Sequence, residues 1–82
     1  MKYRIVWPRS VRLVLEALPE RDQDAIVEKM ELLAYFPLMY AVRSFGRRFR
    51  RHRCFQAGDW LVFYRFVDKT IYIRGLWPAR IP

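Results

Sequence analysis

The stretch that decides the fold is FRRHRCFQAGDWLVFYRFVDKTIYIRGLW, residues 49–77. It contains three runs rich in β-branched and aromatic residues, which are typical of strands. These predicted strands cover residues 49–57, 60–67 and 70–77. The pairs Gly58-Asp59 and Asp68-Lys69 lie between the runs, where tight turns belong. The stretch therefore predicts an antiparallel meander, which a further short strand at residues 41–45 would extend.

The residues before this stretch change from a strand pattern to a helical one. Residues 2–7, KYRIVW, are rich in strand formers, and Pro8 ends the run. Residues 9–36 then predict two helices joined tightly at Pro19, with Ser10 as the N-cap of the first. Apolar residues recur there at helical spacing. They are Val11, Val14, Leu15 and Leu18 in the first helix, and Ile26, Met30 and Leu33 in the second.

This order of elements predicts a single α+β domain over residues 1–82. An N-terminal strand and a helical hairpin precede a three- to four-stranded antiparallel meander. Both helices should pack on one face of an antiparallel sheet, because each helix has a single apolar stripe. The other face is then left for solvent or for a partner.

Composition excludes several classes of protein. Hydrophobic residues make up 54% of the 82 residues and aromatic residues 17%, which excludes a disordered tail. Cys54 is the sole cysteine and His52 the sole histidine, so we expect no disulfide, no metal site and no cofactor. The sequence has no apolar run of membrane-spanning length and no signal peptide. The expected location is therefore the cytoplasm.

Charge is the first indication of function. The net charge is +8 and the isoelectric point is near 10.4. Residues 1–39 carry six basic and six acidic groups, whereas residues 40–82 carry ten basic groups against Asp59 and Asp68. The whole excess lies in the second half, and thirteen of the sixteen cationic residues are arginine. Such asymmetry favours a polyanionic partner, and arginine favours bidentate binding of phosphate or carboxylate.

The densest basic segment is VRSFGRRFRRHRCF, residues 42–55. Along a strand, arginines can follow a phosphate backbone, and arginine and aromatic faces can stack on unpaired bases. A solvated edge strand is the alternative interpretation. A regular strand would place Arg51 and Arg53 on the same face as Phe49 and Phe55, so either a bulge or loop lies near residues 47–51 or the strand starts later. The nucleic-acid-binding candidates are Arg47, Arg51, Arg53, Arg65 and Arg74.

His52 is the default general acid or base, because its side chain titrates nearest neutral pH. The alternative is a surface histidine within a basic run. Cys54 could be a thiolate in this positive field, although a small buried apolar residue is the favoured interpretation. Arg65 and Arg74 interrupt apolar strands and should point to the uncovered face or to an edge, and Arg80 follows the last strand.

Taken together, these features resemble the RelE/ParE superfamily of bacterial type II toxins over nearly the whole chain. The matching pieces are KYRIVWP, the helical hairpin ALPERDQDAIVEKMELLAYFP, Gly46 before a basic strand, GDWLVFY, VDK followed by TIYIRGLW, and Arg80. The resemblance implies a toxin neutralised by an antitoxin that wraps around it. One branch cleaves mRNA in the ribosomal A site, and the ParE-like branch inhibits DNA gyrase.

The resemblance carries over to individual residues only in part. The two lysines on the central strand of RelE-like toxins fall on His52 and Cys54, and the arginine after the turn aromatic falls on Leu61. Arg80 matches the arginine that follows the last strand. The base-stacking tyrosine at the C-terminus has no counterpart. Arg48, Arg50 and Arg65 are local arginines able to substitute for the missing cations.

Three functions remain open from the sequence. The first is a metal-independent, ribosome-dependent endoribonuclease with Arg48, Arg50, His52 and Arg80 around the scissile phosphate. The second is a ParE-like gyrase inhibitor without catalysis, and the third is a degenerate toxin that binds nucleic acid. The expected partners are an antitoxin with an acidic or amphipathic segment, and either the ribosome with mRNA or gyrase. The sequence does not decide whether the chain is an enzyme.

Overall fold

A computed structural model describes residues 1–45, 47 and 49–79. The chain forms one strand, two helices and then four strands. In order these are β1 (Arg4–Val6), α1 (Arg9–Ala17), α2 (Glu20–Leu33), β2 (Val42–Phe45), β3 (Phe49–Ala57), β4 (Trp60–Val67) and β5 (Thr70–Pro78). The predicted α+β class, helical hairpin and meander are confirmed.

Prolines set the starts of both helices. Pro8 is the N-cap of α1 and Pro19 is the N-cap of α2, and neither makes a side-chain capping hydrogen bond. The prediction that Ser10 caps α1 is wrong, because the helix begins one residue earlier, at Arg9. Glu20 and Asp22 lie in the first turn of α2, where the helix dipole favours negative charge.

The five strands form one sheet in the order β1-β5-β4-β3-β2. The meander from β2 to β5 is antiparallel throughout. However, β1 is parallel to β5, so the sheet is mixed and the prediction of an entirely antiparallel sheet is wrong at this edge. The reason is that the helical hairpin carries the chain from one edge of the sheet to the other, and the meander then returns to β1.

Two-residue turns set the register of the three long strands. Ala57 pairs with Trp60 across the first turn, and Val67 pairs with Thr70 across the second. Gly58 has a φ of 59°, a conformation that glycine adopts without strain. Asp68 and Lys69 have φ values of 50° and 58°, as the twist-compatible hairpin turns require. Both predicted turns are confirmed.

The sheet has two different faces. α1 packs on β5, and α2 packs on β3 and β4, so we call this side the helix-covered face. Its core contains the buried strand residues Phe55, Ala57, Val62, Tyr64, Ile71 and Ile73, with Val11, Ile26, Met30 and Leu33 from the helices. We call the opposite side, where alternate strand residues point, the helix-free face. Among the described residues, no helix is long and apolar enough to cross a membrane.

Candidate functional site

A β-bulge at Arg51 determines which residues of β3 reach each face. Arg43 pairs with His52 and Phe45 pairs with Phe49, so β3 contains one more residue than β2 between these two pairs. Arg51 has a φ of 59°, which is uncommon for a side chain other than glycine. The predicted irregularity near residues 47–51 is confirmed. Beyond the bulge, Arg53 and Phe55 face the helices, and His52 and Cys54 face the other way.

Register places three polar or aromatic side chains in one row across the helix-free face. Arg65 on β4 pairs directly with Tyr72 on β5. Arg53 on β3 pairs with Tyr64 on β4. Because the strands are antiparallel, His52, which precedes Arg53, lies beside Arg65, which follows Tyr64. Neighbouring strands lie about 4.8 Å apart, and the row from His52 to Tyr72 therefore spans roughly 10 Å between backbones.

The imidazole of His52 is the buried member of this row. Its side chain is only 7% exposed, and its Nδ1 atom lies 2.8 Å from the carbonyl oxygen of Arg50. Because a carbonyl can only accept, Nδ1 donates this bond, and a neutral ring then carries its lone pair on Nε2. The Nε2 atom is itself buried. In its neutral form His52 can therefore accept a proton at Nε2, but this atom is covered in the unbound chain.

An apolar patch lies next to this row. Cys54 pairs with Phe63, both side chains are buried, and the half-buried Leu61 packs against them. The favoured prediction for Cys54, a small buried residue, is confirmed. Three positions that the resemblance relates to catalytic cations, those of His52, Cys54 and Leu61, therefore lie on one face. Two of the three carry apolar groups here.

Exposed arginines surround the row. The side chains of Arg47, Arg50, Arg51, Arg65 and Arg74 are all exposed. Arg65 lies on the helix-free face, as predicted. Arg74 occupies a second irregularity, where the pairing between β4 and β5 shifts between Phe63 and Tyr64. No aspartate or glutamate occurs within β3, β4 or β5, so no strand carboxylate offsets this positive charge.

Arg53 is the exception among the predicted nucleic-acid-binding residues. It lies on the helix-covered face, and its Nη1 atom donates a hydrogen bond to the carbonyl of Tyr40 at 2.6 Å. Tyr40 in turn stacks on Phe55, with ring centroids 5.0 Å apart. This guanidinium therefore connects the segment after α2 to the sheet, and the other arginines form the exposed basic surface without it.

Tyr64 completes the same connection. Its side chain is fully buried, and its hydroxyl donates a hydrogen bond to the carbonyl of Pro37 at 2.8 Å. Burial raises the pKa of Tyr64 to about 12, and the positive charge of Arg53 partly opposes that rise. The phenol therefore stays protonated, and able to donate, throughout the physiological range.

Two predicted catalytic residues, Arg48 and Arg80, lie outside the described residues. Tyr72 is not among the residues predicted from the sequence, although a two-residue turn at Asp68-Lys69 pairs residue 72 with residue 65. Phe63, in the apolar patch, is not among them either. Within the described part of the chain, no group of three His, Cys, Asp or Glu side chains is placed to hold a metal ion.

Three solved structures are similar to this chain. A toxin–antitoxin complex, RelBE2 from Mycobacterium tuberculosis, matches with 23% identity and a TM-score of 0.77, covering 95% of this chain and 99% of that chain. An archaeal RelE–RelB complex from Pyrococcus horikoshii OT3 matches with 26% identity and a TM-score of 0.77 over 100% of both chains. A mutant of the E. coli toxin RelE in the free state matches with 12% identity and a TM-score of 0.72, covering 98% of this chain and 86% of that chain.

No curated protein sequence matches this chain. The model of one family does match it, over residues 5–81, and that family is the ParE toxin of the type II toxin–antitoxin system parDE. The matched region includes every helix and strand apart from the first residue of β1. This chain therefore belongs to the ParE toxin family of type II toxin–antitoxin systems.

Proposed function

We propose that this toxin acts in the cytoplasm by cleaving mRNA on the ribosome, with the helix-free face of its sheet as the RNA-binding surface. The observation that supports this most is the row of His52, Arg65 and Tyr72, which register aligns on one face. The row combines a group able to accept a proton, a fixed cation and an aromatic ring. These are three parts that binding and cutting RNA require.

The exposed arginines account for affinity in this proposal. Each guanidinium that contacts a phosphate releases counterions from the RNA and contributes binding free energy that falls as salt rises. Arg47, Arg50 and Arg51 cluster at the bulge, and Arg65 and Arg74 lie on the neighbouring strands. The toxin works in surroundings built of RNA, so this charge also steers it towards the ribosome.

The chemical step is transfer of a phosphoryl group to the adjacent ribose. The 2′-oxygen attacks phosphorus and forms a 2′,3′-cyclic phosphate as the bond from phosphorus to the 5′-oxygen breaks. The 2′-proton goes to a base, and the leaving 5′-oxygen takes a proton from water. His52 is the proposed base, through Nε2, and Arg50 and Arg65 stabilise the charge that develops on phosphate. Since Nε2 is buried in the unbound chain, cleavage requires that mRNA binding uncover it. Arg80 stays in the proposed site because it matches the arginine that follows the last strand in the family, and Arg48 stays as a local arginine able to substitute for a missing cation.

The direct test is to map the 5′ ends of mRNA in a reconstituted translation reaction with purified toxin. We expect cuts within A-site codons that disappear when ribosomes are omitted. Arg65→Ala should reduce the cutting, and His52→Ala should abolish it. Cuts that persist without ribosomes would replace this mechanism with that of a free ribonuclease, and uncut message would exclude cleavage.

A second candidate function is inhibition of DNA gyrase without catalysis. It is favoured by the ParE family match and by the apolar patch of Cys54, Leu61 and Phe63, which takes the place of cations. A supercoiling assay with purified gyrase tests this candidate. If the toxin stops neither translation nor supercoiling, the remaining interpretation is an inactive toxin that binds nucleic acid.

We propose that the partner is a cognate antitoxin, as in the two similar structures that are toxin–antitoxin complexes. An acidic segment would lie over the arginines of residues 47–53, and an amphipathic helix along the helical hairpin. Exposed apolar side chains on the hairpin support the second contact, since Leu13 is 53% exposed and Val27 is 44% exposed. The association rate of toxin and antitoxin should fall as salt rises. A rate indifferent to salt would place the contact elsewhere.

A further inference from the structure

Tyr72 is an aromatic residue that is partly exposed on the helix-free face. Its neighbours on β5, Ile71 and Ile73, are completely buried in the core on the helix-covered face. Tyr72 points the other way and is 39% exposed. Strand pairing on both sides, with Val6 of β1 and Arg65 of β4, fixes its backbone. The ring is therefore a partly exposed apolar surface on a paired backbone, outside the core of the helix-covered face.

The surroundings of Tyr72 are cationic. Its direct cross-strand partner is Arg65, whose side chain is also exposed, and directly paired residues have Cβ atoms about 5 Å apart. Arg74, two positions along β5, is exposed as well. The strands around the ring contain no carboxylate. An occupant of this site therefore has negative charge and a flat face, and it meets no repulsion from the sheet.

We propose that Tyr72 and Arg65 form a binding site for one unpaired nucleotide of single-stranded RNA. The base stacks on the tyrosine ring, and the guanidinium of Arg65 binds the adjoining phosphate. This site rests on the proposed RNA-binding function and extends it to a particular nucleotide. Strand pairing fixes the backbone of both residues, so little backbone entropy is lost on binding, which favours affinity.

Stacking and phosphate binding leave different signatures. Stacking on an aromatic ring tolerates every base and depends little on salt, because the ring carries no charge. Phosphate binding by an arginine adds about one to the slope of log affinity against log salt. The two halves of the site can therefore be separated by measuring affinity at several salt concentrations.

The experiment is fluorescence anisotropy with a labelled, unstructured RNA oligonucleotide and the full-length toxin. Tyr72→Ala should raise the Kd about tenfold with an unchanged salt slope, and Tyr72→Phe should bind like the wild type. Arg65→Ala should weaken binding and lower the slope by about one. Tyr35→Ala is the matched control, because Tyr35 is also an exposed tyrosine, at 51%, but it follows α2 and is not part of the row on the helix-free face.

Several results would overturn the site. One is an equal affinity for Tyr72→Ala and Tyr35→Ala, and another is an equal loss when the probe is an acidic peptide instead of RNA. Circular dichroism of each variant checks that the fold is retained, and the Tyr72→Phe result stands even if the alanine variant unfolds.

Different results reject the nucleotide site and the proposed nuclease function. Ribosome-dependent cutting with no effect of Tyr72→Ala on binding rejects only the site, whereas Tyr72-dependent binding without cutting rejects only the nuclease.

Discussion

The two faces of the sheet are built from the same strands and have opposite characters. On β5, Ile71 and Ile73 are completely buried under the helices, whereas Tyr72 between them is 39% exposed. On β3, Phe55 belongs to the core, whereas His52, on the other side, belongs to a row with Arg65 and Tyr72. The helix-covered face holds most of the buried apolar residues, and the helix-free face holds the exposed Arg65 and the imidazole of His52.

This difference indicates which residues control the stability of this toxin and which control its function. Burial of apolar side chains on the helix-covered face provides most of the folding free energy. Substitutions of exposed residues on the helix-free face should change function with little effect on stability. Four predictions test this division, in order of decreasing effect.

Adjacent residues of β5 give the largest contrast. Ile73→Ala should lower the free energy of unfolding by about 2–5 kcal/mol, because it leaves a cavity in the core. Tyr72→Ala, one residue away, should cost far less, about 1 kcal/mol. Urea unfolding followed by circular dichroism measures both values. Similar losses of unfolding free energy for the two variants would mean that exposed residues of the helix-free face stabilise the fold as much as the core does.

The second prediction concerns alkaline pH. The unfolded phenol of Tyr64 titrates near its ordinary value of 10.0, and the folded one at about 12. The stability that this group contributes is complete below pH 10 and is lost as pH rises towards 12, by roughly 3 kcal/mol. Across this range the unfolding free energy of the wild type should therefore fall by roughly 3 kcal/mol relative to that of Tyr64→Phe, which has no phenol to titrate at this position. A constant difference between them would show that the phenol is not buried as described.

Two arginines on opposite faces provide the third contrast. Arg53→Ala removes the hydrogen bond to the carbonyl of Tyr40 and should lower the free energy of unfolding by about 1–3 kcal/mol. Arg50→Ala, at an exposed site, should change it by no more than about 0.5 kcal/mol. RNA binding should show the opposite order. A stable Arg53→Ala variant that has lost RNA binding would support the prediction that Arg53 binds nucleic acid.

The smallest effect is on salt dependence. Arg50→Ala and Arg74→Ala should each lower the salt slope of RNA binding by about one, and the double variant by about two. Titrations of labelled RNA at a series of salt concentrations provide the slopes. Lys2→Ala serves as the control, because this exposed lysine precedes β1 and lies outside the arginine surface. An equal change in the control would mean that RNA senses only net charge.

Much of this division follows from the residues themselves. Period-two alternation and two tight turns predict β3, β4 and β5, and the turn at Asp68-Lys69 is sufficient to pair Arg65 with Tyr72. A bulge is one of the outcomes predicted for the basic segment, because a regular strand would place arginines and phenylalanines on the same face. The pattern does not indicate that Arg51 is the bulged residue within residues 47–51, because an arginine rarely adopts a positive φ. The burial of His52 depends on tertiary packing, as does the parallel pairing of β1, so neither follows from local pattern.

The central claim is that the helix-free face recognises and cuts mRNA on the ribosome. The most direct measurement is 5′-end mapping of mRNA in reconstituted translation, comparing wild type with the Arg50→Ala/Arg65→Ala double variant at equal folded concentration. We expect ribosome-dependent cuts with wild type and their loss with the double variant. Cuts that the double variant makes equally well, or message left intact by the wild type while gyrase is inhibited, would contradict it.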